Sequence, residues 1–360
     1  MATPCQQETI LSDYDEFSGS NAAIAEALRW LIDQPNGVLY DQRTRLHRVI
    51  VRKDGSRIRL YFADPFSTDD YPRLSGAMSE LDLNDPLSFP APYCQAVLLA
   101  LLWRPQPRRV YQIGFAGGRI PQVLHHCFPD VWIESTDIDE GVIAIAQQYF
   151  GVQLDERQQV IIQDGREYLE SRSPDTRYDF IVCDAYRGTG YGPYHLCTQE
   201  FFELCQRHLV EGGVVALNLV ASSDPLLLAK INTLQAAFRH VYLQVSRTWV
   251  VFGSDTPVDT TQAFEQAGVI QRQHELPAMM VWRAGDLHPL DECHDLLARY
   301  GSTTATLSDA EMPPVIANLE RDNPIFYNVN DDEPCPCGSG KRFDACHGAK
   351  STIAQRYTDG

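Results

Sequence analysis

Val110-Tyr-Gln-Ile-Gly114-Phe-Ala116-Gly117-Gly118-Arg-Ile120 is the stretch that decides how this chain is read. A short strand-like run enters a turn of small residues, and a helical segment follows. Glycine lets backbone approach a bound group closely, and the first amides of the next helix are available to bind one. Three further pieces come in order. Ile133-Glu-Ser-Thr-Asp137-Ile-Asp139-Glu140 ends a strand in acids, Ile161-Ile-Gln-Asp164-Gly165 ends the next, and Tyr178-Asp-Phe-Ile-Val-Cys-Asp184-Ala-Tyr186 a third. Each sets a polar group just past the C-terminal end of a parallel strand, where open α/β sheets bind ligands.

The chemistry differs from piece to piece. Asp137 lies about 20 residues beyond the glycine turn, where an acid commonly accepts the hydroxyls of a ribose. Asp164 is placed to accept a hydrogen bond from an adenine amino group, with Gly165 beside it. Asp184 closes the series at the fourth strand. The blander reading is that loop aspartates cap helices or form turns. The ordered series favours ligand contact at Asp137 and Asp164, and a site role at Asp184. Tyr186, Tyr191, Tyr194 and His195 follow as an aromatic cluster. They read either as a packed gate loop or as catalytic partners. A histidine titrates near neutrality, which suits a general base, although one near a helix start often only caps.

These motifs resemble the spermidine synthase, or polyamine aminopropyltransferase, family. Supporting pieces are Val38-Leu-Tyr40, Leu46-His-Arg-Val-Ile-Val51, Asp139-Glu140 with Val142-Ile143, His195-Leu-Cys-Thr198-Gln-Glu200 and Glu211-Gly212-Gly213. The similarity runs from residue 37 to residue 251 and is nearest to divergent bacterial members with an Asp184-Ala185-Tyr186 type of motif. It implies an α/β, Rossmann-like class I methyltransferase-type sheet preceded by a small β-hairpin domain. It also implies S-adenosylmethionine or its decarboxylated form as co-substrate. In that frame Gly114, Ala116, Gly117 and Gly118 line the nucleoside's tail, Asp137 holds the ribose, and Asp164 and Gly165 meet the adenine. Asp184, Tyr186 and His195 are the candidate catalytic residues.

The departures matter as much. The family's glycine-turn aspartate, which holds the aminopropyl ammonium, is Gly117 here. Its second catalytic-loop aspartate is Arg187, its gate-helix triplet reads Tyr93-Cys94-Gln95, and a glutamine after the first hairpin reads His47. A polyamine cation needs carboxylates to offset its desolvation. Methyl or other alkyl transfer is therefore expected ahead of true spermidine synthesis, with Arg119 a candidate partner for the carboxylate of ordinary S-adenosylmethionine. The alternatives are a genuine aminopropyltransferase and a catalytically silent interaction protein. The acceptor is expected to be a small molecule, an amine among the candidates, and the resemblance implies pairing as a homodimer.

A second signal lies near the end. Cys335-Pro-Cys337-Gly-Ser-Gly-Lys-Arg-Phe-Asp-Ala-Cys346-His347 matches the SEC-C motif. Three thiols and an imidazole at this spacing close a tetrahedral structural Zn²⁺ site, which would supply the folding energy of so short a segment and serve as an adaptor for a protein partner. A redox-active thiol pair is the competing reading.

Composition sets the bounds. The 360 residues carry a formal charge of −18, which argues against nucleic-acid or anionic-membrane binding. The apolar run Ala96–Trp103 is too short to span a bilayer. The opening residues lack the apolar core of a secretory signal, and 10 scattered cysteines suit a reducing compartment. A cytoplasmic location is expected. The chain divides into a helical lead-in (1–36), hairpins and a mobile lid (37–92), the transferase domain (93–255), an extension and linker (256–330, the linker being 321–333) and the zinc motif (331–350). Within the extension, 260–267 and 291–300 read as helices and 278–283 as a strand.

Overall fold

The computed structural model describes residues 19–44, 46, 48–63, 76–186, 192–220, 224, 226–246, 248–276, 280–314, 332 and 341–342. Arg45, His47, Arg187, Tyr191, the expected linker apart from residue 332, and the proposed zinc ligands Cys335, Cys337, Cys346 and His347 lie outside them.

Helix α1 (Gly19–Ile32) turns an apolar stripe inward: Ile24, Leu28 and Leu31 are buried at helical spacing, while Ala27 and Ile32 face out. Strands β1 (Gly37–Arg43), β2 (Arg48–Asp54) and β3 (Arg57–Ala63) follow as antiparallel hairpins. Gly55, at φ +59°, makes the expected turn between the second and third. Part of the predicted lid is a fourth strand instead, β4 (Ser79–Asp82), paired to β3. Its alternation buries Ser79 and Leu81 and keeps this edge of the sheet covered.

Pro92 opens α2 (Pro92–Val97), which tightens into a 3-10 segment over Leu98–Leu102. The main sheet then begins with β5 (Arg109–Ile113), α3 (Arg119–Cys127), β6 (Trp132–Asp137), α4 (Glu140–Phe150) and β7 (Gln158–Ile162). It continues with α5 (Gly165–Glu170), β8 (Tyr178–Cys183), a 3-10 turn at Tyr194–Leu196, α6 (Gln199–Arg207) and β9 (Leu209–Leu219). After α7 (Leu227–Ala237) come the antiparallel strands β10 (His240–Val245) and β11 (Trp249–Ser254). With β12 (Leu287–Pro289) at one edge, strand order is β12-β10-β11-β9-β8-β5-β6-β7, with β5 to β9 parallel. The order reverses between β5 and β8, so a crevice opens at their C-terminal ends. Every residue of β8 is buried, as a strand covered on both faces requires.

At the opposite end of the sheet, buried Asp179 on β8 accepts from the amides of Arg108 and Arg109 at 2.6 and 2.8 Å and pairs with Arg104 at 2.7 Å. It joins the segment leaving α2 to the start of β5.

In the extension, α8 (Ala263–Gln273) fulfils the helical expectation, shifted toward the C-terminus. The strand expected at 278–283 is instead α9 (Met280–Ala284). Met280 and Ala284, four apart, are the buried pair, and Trp282 between them is exposed. A short apolar run does not by itself separate strand from helix. The true strand is β12 (Leu287–Pro289), paired to β10, and the helix expected at 291–300 is only α10 (His294–Leu297) with flanking 3-10 turns.

Candidate active site

The switch point brings two predicted residues together. Gly114, at φ +86°, lies so close to the end of β8 that a Cβ there would sit 2.4 Å from the Asp184 carbonyl oxygen. No side chain fits that position. The amide of Asp184 in turn donates to the carbonyl of Ile113 at 2.9 Å.

The rest of the small-residue turn is packed for a different reason than expected. A Cβ on Gly117 would meet Ser79 of β4 at 2.7 Å, and one on Gly118 would meet the Phe115 ring at 2.5 Å. Gly165 faces Ile113 in the same way, at 2.3 Å. These glycines accommodate neighbouring side chains. The turn's amides are also engaged: Gly117 donates to Ser79 Oγ at 2.9 Å, while Phe115 and Ala116 donate to Asp137 Oδ2 at 3.0 and 3.2 Å. Ala116 is held at φ +46°, a left-handed conformation that disfavours a side chain.

Asp137 therefore reaches across to the glycine turn. Its second oxygen accepts from the Asp139 amide at 3.0 Å. A carboxylate offers about four acceptor directions, so three contacts leave one open for a ligand. Burial raises its carboxyl pKa and the neighbouring Asp139 charge adds to this, while the three amides act against it.

Asp164 caps α5, as the blander reading held: Oδ1 accepts from Arg166 and Glu167 amides at 2.9 and 3.1 Å. Its Oδ2 is 2.8 Å from His195 Nε2. Burial works to raise the Asp164 carboxyl, but His195 and the two amides outweigh it and hold the group below its usual range. His195 is thus bonded to Asp164, not to Asp184.

Asp184 stands apart. It keeps a partial opening to solvent, yet its buried surroundings push the carboxyl up to about 7, against the lowering effect of hydrogen bonds from Asn218 and Tyr93. Asn218 Nδ2 donates to Asp184 Oδ1 at 2.8 Å, while Asn218 Oδ1 is buried with no hydrogen-bond partner. Sequence reasoning missed Asn218, although it is the one polar residue in the otherwise apolar run Val214–Leu219.

Two expected roles change. Tyr186 directs its hydroxyl to the end of β9, donating to the Asn218 carbonyl at 2.6 Å and accepting from the Val220 amide at 3.2 Å. Its hydroxyl is committed to anchoring the loop. Arg119 is buried and donates to the carbonyls of Pro86 and Ser88 and to Gln122, so its charge is spent inside the protein and not on a ligand carboxylate. Cys94, Cys183, Cys197 and Cys205 are buried free thiols. Among the described residues no cluster suited to a metal occurs, and no helix is long and apolar enough to cross a membrane.

The spermine/spermidine synthase domain profile matches residues 97–253, and a SEC-C motif matches residues 333–349. A polyamine aminopropyltransferase of Vibrio vulnificus is 32% identical over 180 residues, covering 49% of this chain and 60% of that protein. The eEF1A lysine and N-terminal methyltransferase of Mus musculus is 30% identical over 158 residues, covering 41% of this chain and 23% of that protein. The matched stretches thus span less than two thirds of these relatives. A probable spermidine synthase from Corynebacterium glutamicum shares the fold at TM-score 0.57 and 16% identity, covering 78% of this chain and 100% of that one. So does a spermidine synthase solved with the transition state analogue AdoDATO, at TM-score 0.52 and 20% identity over 72% and 88% of the two chains.

Proposed function

We propose that the protein, whose residues 97–253 match the spermine/spermidine synthase domain profile, is a transferase using S-adenosylmethionine or its decarboxylated form to alkylate a small acceptor, with methyl or another alkyl group favoured over aminopropyl. The observation that carries the reading is Asp184, a carboxyl raised to about 7 at the β5/β8 crevice. Such a group takes a proton near neutral pH.

In the step proposed, the acceptor's lone pair attacks the carbon bound to the sulfonium. The C–S bond breaks, its electron pair stays on sulfur, and a neutral thioether leaves. The proton released by an amine acceptor passes to Asp184. Asn218 and Tyr93 hold that carboxylate in place. Attack on a sulfonium otherwise needs mainly positioning and exclusion of water. Asp137 and Asp164 are assigned to the ribose and adenine, each through its one remaining acceptor direction.

The preference over aminopropyl transfer rests on Gly117. Ser79 occupies the space an aspartate side chain would need there, so this turn supplies no carboxylate for an ammonium group. The test is calorimetric titration with both sulfonium compounds, followed by product analysis with putrescine as acceptor. Tighter binding of the decarboxylated form together with spermidine production reverses the preference.

A second reading, a binding protein without chemistry, draws on how fully Asp137 and Asp164 are already bonded internally. It prevails if the protein binds neither sulfonium compound nor the corresponding thioethers. The SEC-C segment is assigned a structural zinc on the chemistry of its donor set: Cys335, Cys337, Cys346 and His347 offer three thiolates and an imidazole, the ligand types of closed tetrahedral sites. A protein partner for that segment, a homodimeric state, a cytoplasmic location and the division into five segments given above belong to the same proposal.

A further inference from the structure

Residues 303–311 lie beyond the synthase domain, yet they lace together the elements that carry the adenine-side residues. Asn232 of α7 donates to the Thr303 carbonyl at 2.8 Å. The Leu307 amide donates to Thr233 Oγ1 at 2.8 Å, and the Leu307 carbonyl accepts from the Gln199 amide at the start of α6, also at 2.8 Å. Leu307 itself is buried against Tyr194 and Cys197. The segment is pinned on both its backbone and its one buried side chain.

Its polar end meets the gate. Tyr194, buried in the 3-10 turn, donates to both Ser308 and Glu311 carbonyls at 2.9 Å. Asp309 forms a two-pronged pair with Arg166 at 2.8 and 2.5 Å. The same guanidinium reaches the His195 carbonyl at 3.1 Å and Thr198 Oγ1 at 3.3 Å, and pairs with Glu170 one turn along α5. Arg166 thereby ties Asp309 to the backbone of His195, and His195 closes on Asp164. Arginine's planar fork suits such a junction, because it can serve several oxygens in fixed directions.

We propose that Asp309 and Arg166 are positioning residues for the adenine end of the cleft, and that the 303–311 segment acts as a strap holding the Tyr194–Leu196 turn, and with it His195, against Asp164. The proposal rests on the nucleoside reading above for its consequence, but not for its geometry. Without the strap the turn keeps Leu196 in the core and the Arg166 bond to the His195 carbonyl, but loses the ties from Tyr194 to 308 and 311 and the Asp309 anchor on Arg166.

The test uses the full chain with Asp309→Ala, Arg166→Gln and the conservative Asp309→Glu. Hydrogen exchange on ligand-free protein is read at 194–198 against β5 and β8, and S-adenosylhomocysteine affinity is read by calorimetry. Expected is exchange faster by about fivefold at 194–198 in Asp309→Ala and Arg166→Gln, with β5 and β8 unchanged and partial recovery in Asp309→Glu. S-adenosylhomocysteine binding weakens by a similar factor in the same two variants. Unchanged exchange at 194–198, or equal acceleration throughout the sheet, overturns the strap. Faster gate exchange with unaltered affinity overturns its positioning role while leaving the nucleoside reading intact. If wild-type protein does not bind S-adenosylhomocysteine, the nucleoside reading and the adenine-positioning role fail together, and the exchange data still decide whether the strap holds the gate.

Discussion

Replacing Asp184 by asparagine separates its charge from its shape. The ordinary carboxyl value is 3.8 and the folded one about 7. Below pH 4 both folded and unfolded chains keep the proton, and the group does not affect stability. Between pH 4 and 7 the unfolded chain ionises first, so rising pH favours unfolding. Above pH 7 the penalty is constant. At about 1.4 kcal/mol per pH unit it reaches a ceiling of about 4 kcal/mol, and partial solvent access brings the expectation to roughly 2 kcal/mol. Asp184→Asn removes this slope. Asn218 can turn its unpartnered Oδ1 toward the new amide, so the substitution carries its own compensation. Urea unfolding of both proteins at pH 5, 6, 7 and 8 should show the variant's advantage growing by about 1–2 kcal/mol across that range. The comparison cancels every other titrating group that is independent of this site. Turnover should fall by about a hundredfold or more. A stability gap that stays flat from pH 5 to 8 refutes the raised carboxyl, and with it the main support for Asp184 as base.

Other substitutions probe the neighbouring claims. Gly117→Ala should lose about 1–3 kcal/mol in denaturant melts because its Cβ meets Ser79, and Ser79→Gly should restore most of that. His195→Ala should lower stability at pH 6 by about 1 kcal/mol. Since the Asp164 carboxyl is depressed, that contribution exists above its ordinary value and fades on acidification, so the two proteins should converge as pH falls below the ordinary carboxylate range in an acid titration. Tyr186→Phe should cost about 1–3 kcal/mol by leaving the Val220 amide without its partner, while the pH profile of turnover stays where it was; a displaced profile would return Tyr186 to the chemistry. Native mass spectrometry should find one zinc on the full chain, lost in Cys335→Ser with S-adenosylhomocysteine affinity unchanged.

The sheet was legible because its signals are local. Glycines after Ile113 and acids after β6, β7 and β8 stand at fixed offsets from apolar runs, and the strand order follows from the rule that parallel strands need crossovers. What could not be read depends on distant partners. Nothing around Arg119 announces that the carbonyls of Pro86 and Ser88 will consume its charge. Gly117 looked like a ligand-facing glycine, whereas Ser79, 38 residues earlier, sets its requirement. The run 278–283 contains both helix- and strand-compatible spacing, and from Met280 onward packing chose the helix. Residues 303–311 have no periodicity because they are held by backbone groups and two isolated side chains, Leu307 and Asp309.

Asp179 gives the crevice an unusual kind of insulation. It clasps Arg104, Arg108 and Arg109 at the foot of the sheet, on the strand whose far end leads directly into Asp184. The helix bearing Tyr93 and the strand ending at Gly114 are thus registered from below, without recourse to the mouth. In the proposed transferase, residues at the mouth are consequently free to accommodate one transferred alkyl group or another while the scaffold's alignment is kept. Damage to Asp179, conversely, should blunt turnover from a distance that no inhibitor-bound structure would flag.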